Sequence, residues 1–397
     1  MPPKQNARGF SFFNDPQPIL PQAPPRMKSA KMALTMGKID AVTAVVYCEG
    51  SFGSIDGKTA NGLVRHSGKY EILSVIDSGK AGQDAGEVLD GVPNGIPICE
   101  NLADALVNAG STPANFIYGI APLSGMLSME ERHMLLKAMK HGMNLVCGLH
   151  EFLTEDAEFI AAAHEAGVSI RDVRKPREKK DLRTFSGRVS EVNCPRIAVL
   201  GTDCAIGKRT TATILAAALK ERGINAVLIG TGQTAVIQGA RYGLAMDAVP
   251  AQFCAGELEA VILKAEEEEA PDVILIEGQG ALSHPAYSTS SFILRGSCPQ
   301  GVILQHAPAR KHLCDFPDTP MPTAASEIAL IEMFSKTKVI GLTLNHEDMT
   351  DAEVSVAIGG YEKELGIPCT DALGGSTERL VEMVLEAFPE LGENASD

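Results

Sequence analysis

Two α/β halves, each a parallel β-sheet covered by helices on both faces, are the fold this sequence predicts. Three observations point to it. Short apolar runs alternate with helical periodicities from residue 41 almost to the C-terminus, the pattern of repeated strand-helix units. Such alternation favours parallel strands, because each helix carries the chain back to the edge where the next strand begins. A charged stretch with neither periodicity, residues 171–192, splits the alternation in two. Length agrees: 397 residues suffice for about two to three domains with sizeable cores.

The elements follow in order. Residues 1–35 are rich in proline and poor in periodic apolar positions, and so form an arm. Phe10, Phe12 and Phe13 suit docking on a neighbouring subunit, a disordered tail being the plain alternative. Over residues 36–170 come AVTAVVYC, a glycine-rich turn, YEILSVID, IPIC, NFIYGI, NLVCGL and VSIRDV, with helical patterns between them. This half reads as Rossmann-like. Its first turn carries Gly57-Lys58-Thr59, but the glycine spacing matches no phosphate or dinucleotide motif, which favours a structural turn. Asp77 ends the second strand, where a dinucleotide site would place its ribose-binding acid and where turn-forming aspartates are also common.

Residues 171–192 form a basic linker, whose Arg174, Lys175 and Arg177 either face solvent or meet a polyanion at the junction. Over 193–397 the strands resume as RIAVLG, AVLIG, VILIE, GVILQH and VIGLTLN. The acidic run Glu266–Glu269 closes a helix and reads as a solvated face.

The organising stretch is Arg196 to Glu221, a strand, a glycine turn ending in Gly207-Lys208, and a helix. A glycine turn entering a helix N-terminus aims backbone N–H groups at one point, and Lys208 adds a full positive charge. Residues Gly201, Thr202, Cys204, Gly207, Lys208, Arg209 and Thr210 are therefore the candidate cofactor-binding set, and the half is P-loop NTPase-like. The turn departs twice from G-x-x-x-x-G-K-[ST]. Thr202 replaces the first glycine, and Arg209 holds the hydroxyl position that normally serves magnesium, with Thr210 and Thr211 as possible replacements. The Gly-Thr-Asp opening resembles the variant loop of dethiobiotin synthetases.

Parallel sheets bind ligands beyond the carboxyl ends of their strands. Those ends gather Thr202 and Asp203, the TGQT segment with Gln233, then Glu277, Gln279 and His284, then His306 and Arg310, and Asn345. Glu277, His284 and Asp203 are the catalytic candidates: burial beside an apolar strand raises a carboxyl pKa toward a useful value, and a loop histidine before proline is held rigidly. A capping role is the plain alternative for Glu277. Gln233, Gln279, His306 and Arg310 are candidate substrate contacts, Arg310 through the fork geometry of its guanidinium. No residue set has metal-ligand spacing.

Composition limits the partners. A net charge of −15 argues against nucleic acid and anionic membranes, so an anionic ligand must be captured locally. Nine cysteines, odd in number and without paired C-x-x-C spacing, read as reduced thiols of a cytoplasmic protein. No apolar run reaches membrane-spanning length. A two-domain α/β chain with an apolar-tipped arm suggests a homo-oligomer.

Together GTDCAIGK, TGQT, IEGQGALSHP and HAPARKH, preceded by GKTANGL, GLHEFL and DVRKP, resemble a bacterial and archaeal family that joins a Rossmann-like half to a phosphate-loop-like half. One branch is D-glutamate N-acetyltransferase. The resemblance covers roughly residues 40–390. It implies acetyl-CoA as cosubstrate and an amino acid such as D-glutamate as acceptor, with Lys208 and Arg209 holding phosphates without magnesium. Glu277 or His284 would then be the base, the Gly278–Gly280 turn an oxyanion site and Arg310 a carboxylate grip. Two alternatives stand beside it: an ATP-dependent ligase or kinase using ATP and magnesium, and a nucleotide-binding regulatory protein.

Overall fold

The computed structural model describes residues 42–122, 124–375 and 377–394. The proline-rich arm lies outside the described residues.

In the first half, β1 (Val42–Tyr47), α1 (Lys58–Arg65), β2 (Tyr70–Ile76), α2 (Ala85–Asp90), β3 (Ile98–Cys99), α3 (Leu102–Ala109), β4 (Asn115–Tyr118), α4 (Met129–Lys140), β5 (Asn144–Cys147), α5 (Ala157–Ala166) and β6 (Ile170–Asp172) follow one another. Their sheet runs in the order β3-β2-β1-β4-β5-β6, and every pairing is parallel. The helices start where the chain supplies caps. Asn101 accepts from the Ala103 and Asp104 amides, and Ser128 with Glu131 closes a capping box on α4.

The second half comprises β7 (Arg196–Gly201), α6 (Lys208–Glu221), β8 (Ala226–Gly230), α7 (Gln233–Gln238), β9 (Tyr242–Gly243), α8 (Ala251–Glu269), β10 (Val273–Glu277), α9 (Thr289–Ser297) and β11 (Gly301–His306). Next come a hairpin of β12 (His312–Leu313) and β13 (Phe316–Pro320), α10 (Ala324–Phe334), β14 (Lys338–Leu344), α11 (Asp351–Leu365), β15 (Cys369–Asp371), α12 (Thr377–Ala387) and α13 (Glu390–Asn394). Its main sheet has the order β15-β14-β11-β7-β10-β8-β9 and is again all parallel. β7 lies between β10 and β11 and is buried along its whole length, which explains its unbroken apolar run. Because the strands are parallel, the segments after β7, β8, β10, β11 and β14 share one edge.

The linker is tied down by acids of α8. Arg177 pairs with Glu257 at 2.7 Å, and Glu259 accepts from the Ser186 and Val189 amides. Arg174 meets Asp247, and Lys175 meets Glu155. The basic cluster is therefore engaged by the protein's own acids. The run Glu266–Glu269 is likewise not merely solvated: Glu266 accepts from the Asn193 amide, and Glu268 from the Tyr242 hydroxyl at 2.8 Å.

The two halves meet where α1 packs on α7. Gln233 donates to Thr59 Oγ1 at 2.8 Å, Gln238 donates to the His66 carbonyl, and Ile237 is buried in the first half's core. Among the described residues, no helix is long and apolar enough to cross a membrane.

Candidate active site

At the end of β7 the Thr202 amide donates to the Gln305 carbonyl at 3.0 Å, extending the ladder before the chain turns away. Ala205 and Gly207 have φ of 51° and 98°, and α6 begins at Lys208. From Ala205 to Thr210 the amides have no hydrogen-bond partner among the described residues, so this turn and the first helical turn point a row of unsatisfied donors at one place. The Lys208 stem lies over Gly201, where a β-carbon would fall 2.8 Å from Lys208 Cδ. Its ammonium donates to the Asp203 carbonyl inside the loop. Lys208 is 6% exposed, and burial lowers its pKa. The loop itself holds its lysine in place.

Asp203 is fully engaged within the fold. Its buried carboxylate accepts from Arg310 Nη1 at 2.8 Å and from the amides of Cys204 and Cys314 at 2.7 and 2.9 Å. Arg310 has its donors on groups of the protein itself. Its Nε and Nη2 hold Glu347 at 2.6 and 2.9 Å, and Nη1 also reaches the Cys204 carbonyl. With its donors on Asp203 and Glu347, Arg310 fastens the loop to the segment after β14.

Glu277 ends β10, the strand beside β7, and is 6% exposed. Its Oε2 accepts from the Thr231 amide at 3.1 Å, and its Oε1 lies 3.9 Å from Arg209 Nε. Burial raises its pKa against the opposing pull of Arg209 and backbone donors. Gln279 donates to Thr231 Oγ1 at 2.8 Å, joining the two loops. Gln233 turns to Thr59, and its buried Oε1 and Arg209 Nη1 have no partner among the described residues. Gly278 presses against the Val199 carbonyl, where a β-carbon would collide.

His284 is 7% exposed and stacks on Tyr287 with ring centres 4.4 Å apart, while Phe316 of the hairpin meets it edge-on. Its Nδ1 faces the amides of Ala286 and Tyr287 at 3.2 and 3.3 Å, so that nitrogen is the acceptor and Nε2 carries the proton in the neutral ring. Burial lowers its pKa and keeps it neutral. In that state its buried Nε2 is a hydrogen-bond donor without a partner among the described residues. Glu327 sets the loop in place by accepting from the Leu282 and Ser283 amides and the Ser283 hydroxyl.

The remaining candidates divide. His306 is buried behind the loop, its Nδ1 2.8 Å from Thr202 Oγ1, its edge against Tyr361 and its pKa pushed down to about 4 by burial. Thr202, with both amide and hydroxyl engaged, supports the loop from below. Thr210 is exposed. In the first half, Asp77 accepts from the Phe52 and Gly79 amides, and so caps a turn. Sequence reasoning missed Glu327, Glu347, Tyr287 and Cys314, none of which stands at the tip of an apolar run.

Magnesium, the usual companion of a phosphate loop, does not fit these residues. Arg209 replaces the ligating hydroxyl, and its guanidinium faces the acid that would share the ion. The Thr211 hydroxyl is engaged by Gln305 at 2.6 Å.

Comparisons with known proteins agree with this architecture. Residues 78–176 match the Rossmann-like domain DUF1611_N and residues 183–381 the P-loop domain DUF1611_C, each described as a domain of unknown function. The chain is 30% identical over 272 residues to a D-glutamate N-acetyltransferase of Tritonibacter scottomollicae, spanning 67% of this chain and 79% of that protein. It is 29% identical to a protein of the same name from a Pseudoalteromonas species, spanning 67% and 80%. A crystal structure of a DUF1611 family protein from Anabaena variabilis superposes with a TM-score of 0.80 at 31% identity, covering 87% of this chain and 99% of that one. Two parallel-sheet halves, joined by a pinned linker and carrying a lysine-bearing loop at the head of the second, mark this chain as a member of the DUF1611 family.

Proposed function

We propose that the protein is an N-acetyltransferase that moves the acetyl group of acetyl-CoA to the amine of an amino acid such as D-glutamate. The observation that carries this reading is the Arg209–Glu277 pair beneath the loop. A guanidinium in the metal's customary place suits a loop that binds a pyrophosphate without breaking it. The names of the relatives support the same reading.

Acetyl-CoA supplies an acyl group already activated for transfer. The amides from Ala205 to Thr210 and the Lys208 ammonium hold the pyrophosphate, and Arg209 adds charge from below. Glu277, with its pKa raised by burial, accepts a proton from the substrate ammonium, leaving the amine free to attack. The unpartnered Nε2–H of His284, with the Gln279 and Gly280 amides, is the donor set for the oxygen that gains charge in the transition state.

The test is thiol release from acetyl-CoA with D-glutamate in the presence of a magnesium chelator. Release supports the reading. Magnesium-dependent ADP formation from ATP, or tight nucleotide binding with neither product, replaces it with the ligase or the regulatory alternative.

A further inference from the structure

Two thiols meet beside the phosphate loop and have no part in the chemistry above. Cys204 lies in the loop and Cys314 in the hairpin turn between β12 and β13, and both are partly exposed. Their sulfurs and an Asp315 carboxylate oxygen all lie within 4.8 Å of one another. Asp203 fixes this proximity: its two carboxylate oxygens accept from the Cys204 and Cys314 amides at 2.7 and 2.9 Å. Arg310 clamps the same carboxylate and the Cys204 carbonyl. The backbones are thus pinned with the two sulfurs held close together.

We propose that Cys204 and Cys314 are an oxidative modification site, closing to a reversible disulfide when the protein meets hydrogen peroxide. The Cys204 thiol is lowered by a hydrogen bond from the Cys314 thiol and by the nearby Lys208 ammonium, which makes it the nucleophile. Its thiolate attacks a peroxide oxygen; an S–O bond forms as the O–O bond breaks, and the departing hydroxide takes a proton to become water. The Cys314 sulfur then attacks the Cys204 sulfenic acid. An S–S bond forms, the S–O bond breaks, and the leaving hydroxide takes the Cys314 proton as a second water. Two thiols lose two electrons in all, and the peroxide gains them.

A metal is the competing occupant of these thiols, and the neighbours disfavour it. Asp203 is saturated by Arg310 and two amides, His284 turns its lone pair to backbone N–H groups, and Asp315 receives the Tyr287 hydroxyl at 2.9 Å. Lys208 adds a repelling charge.

For its link to ligand binding, the proposal rests on the loop being an anion cradle. An anion seated against Lys208 covers Cys204 and withdraws the charge that favours its thiolate, so it should protect the pair. The experiment exposes reduced full-length protein to hydrogen peroxide, with and without inorganic pyrophosphate, and maps its peptides without reduction. The expected result is a Cys204–Cys314 linked peptide, two hydrogen atoms lighter than the separate pair and reversed by dithiothreitol. Pyrophosphate should slow its formation by at least about fivefold. Cys314→Ser should give no linked peptide and leave a Cys204 sulfenic acid trappable by dimedone. Absence of the linked peptide in the unmutated protein, pairing of either cysteine elsewhere, or stoichiometric zinc binding lost in Cys314→Ser overturns the proposal. A linked peptide forming equally fast with pyrophosphate leaves the thiol pair standing and overturns the cradle.

Discussion

The two halves carry the same short phrase after their first strand, Gly57-Lys58 in one and Gly207-Lys208 in the other, and put it to opposite uses. In the first half most of the turn's donors are taken up inside the fold. Phe52 and Gly53 donate to Asp77 and Asn61 side chains, while the Ser54, Lys58, Ala60 and Asn61 amides all donate to backbone carbonyls. Lys58 is exposed, and Thr59 is drawn into the seam against Gln233 and Thr234. In the second half the amides from Ala205 to Thr210 have no partner among the described residues, and the lysine is folded inside. A glycine-lysine turn can serve as a cradle only where its donors are left free.

That contrast can be broken most decisively at the acids ending the two strand runs. Glu277→Gln should lower kcat by about a hundredfold or more with little change in KM, because it removes the proposed base. Asp77→Asn should cost stability and leave kcat alone, because Asp77 only caps a turn; equal kcat losses in steady-state kinetics would erase the distinction. Next in size are the two lysines. Lys208→Ala should weaken CoA binding by about tenfold to a hundredfold in calorimetry, roughly the loss of one charged hydrogen-bonding group. Lys58→Ala should change it less than about twofold.

A third measurement separates loop support from loop chemistry. His306 is held neutral in the fold, its pKa pushed down to about 4 by burial. As pH falls below the unfolded value of about 6.5, the unfolded chain takes up a proton that the folded chain refuses, so stability is lost on acidification. Between about pH 7.5 and about pH 5 the loss attributable to this group is on the order of 2 kcal/mol, and His306→Gln should remove it from urea unfolding curves. Smallest is the seam: Thr59→Val removes the acceptor for Gln233, and should cost on the order of 1 kcal/mol without touching CoA affinity.

The alternation of apolar runs with helical periodicity carried the fold, because buried parallel strands announce themselves in a single stretch of residues. The helix over 157–166 and strands such as β10 and β14 lie where the pattern places them. The Lys208 turn was equally legible, since its geometry is local. Roles that depend on distant partners were not. Nothing near Arg310 in sequence shows that Asp203 and Glu347 will occupy its fork, and nothing near His284 shows which nitrogen the Ala286 and Tyr287 amides will face. His306 looked like its neighbours at the strand tips, yet the packing of Thr202 and Tyr361 encloses it.

The short helix α7 leaves one residue on the far side of the boundary, where Ile237 is 0% exposed within the first half's core. Cutting the chain in the linker would not simply free two independent bodies: the C-terminal fragment would carry a bare greasy peg and the N-terminal fragment its empty socket. The severed pieces should therefore seek each other in solution, and reassembly of co-expressed fragments would show that one side chain acts as a rivet.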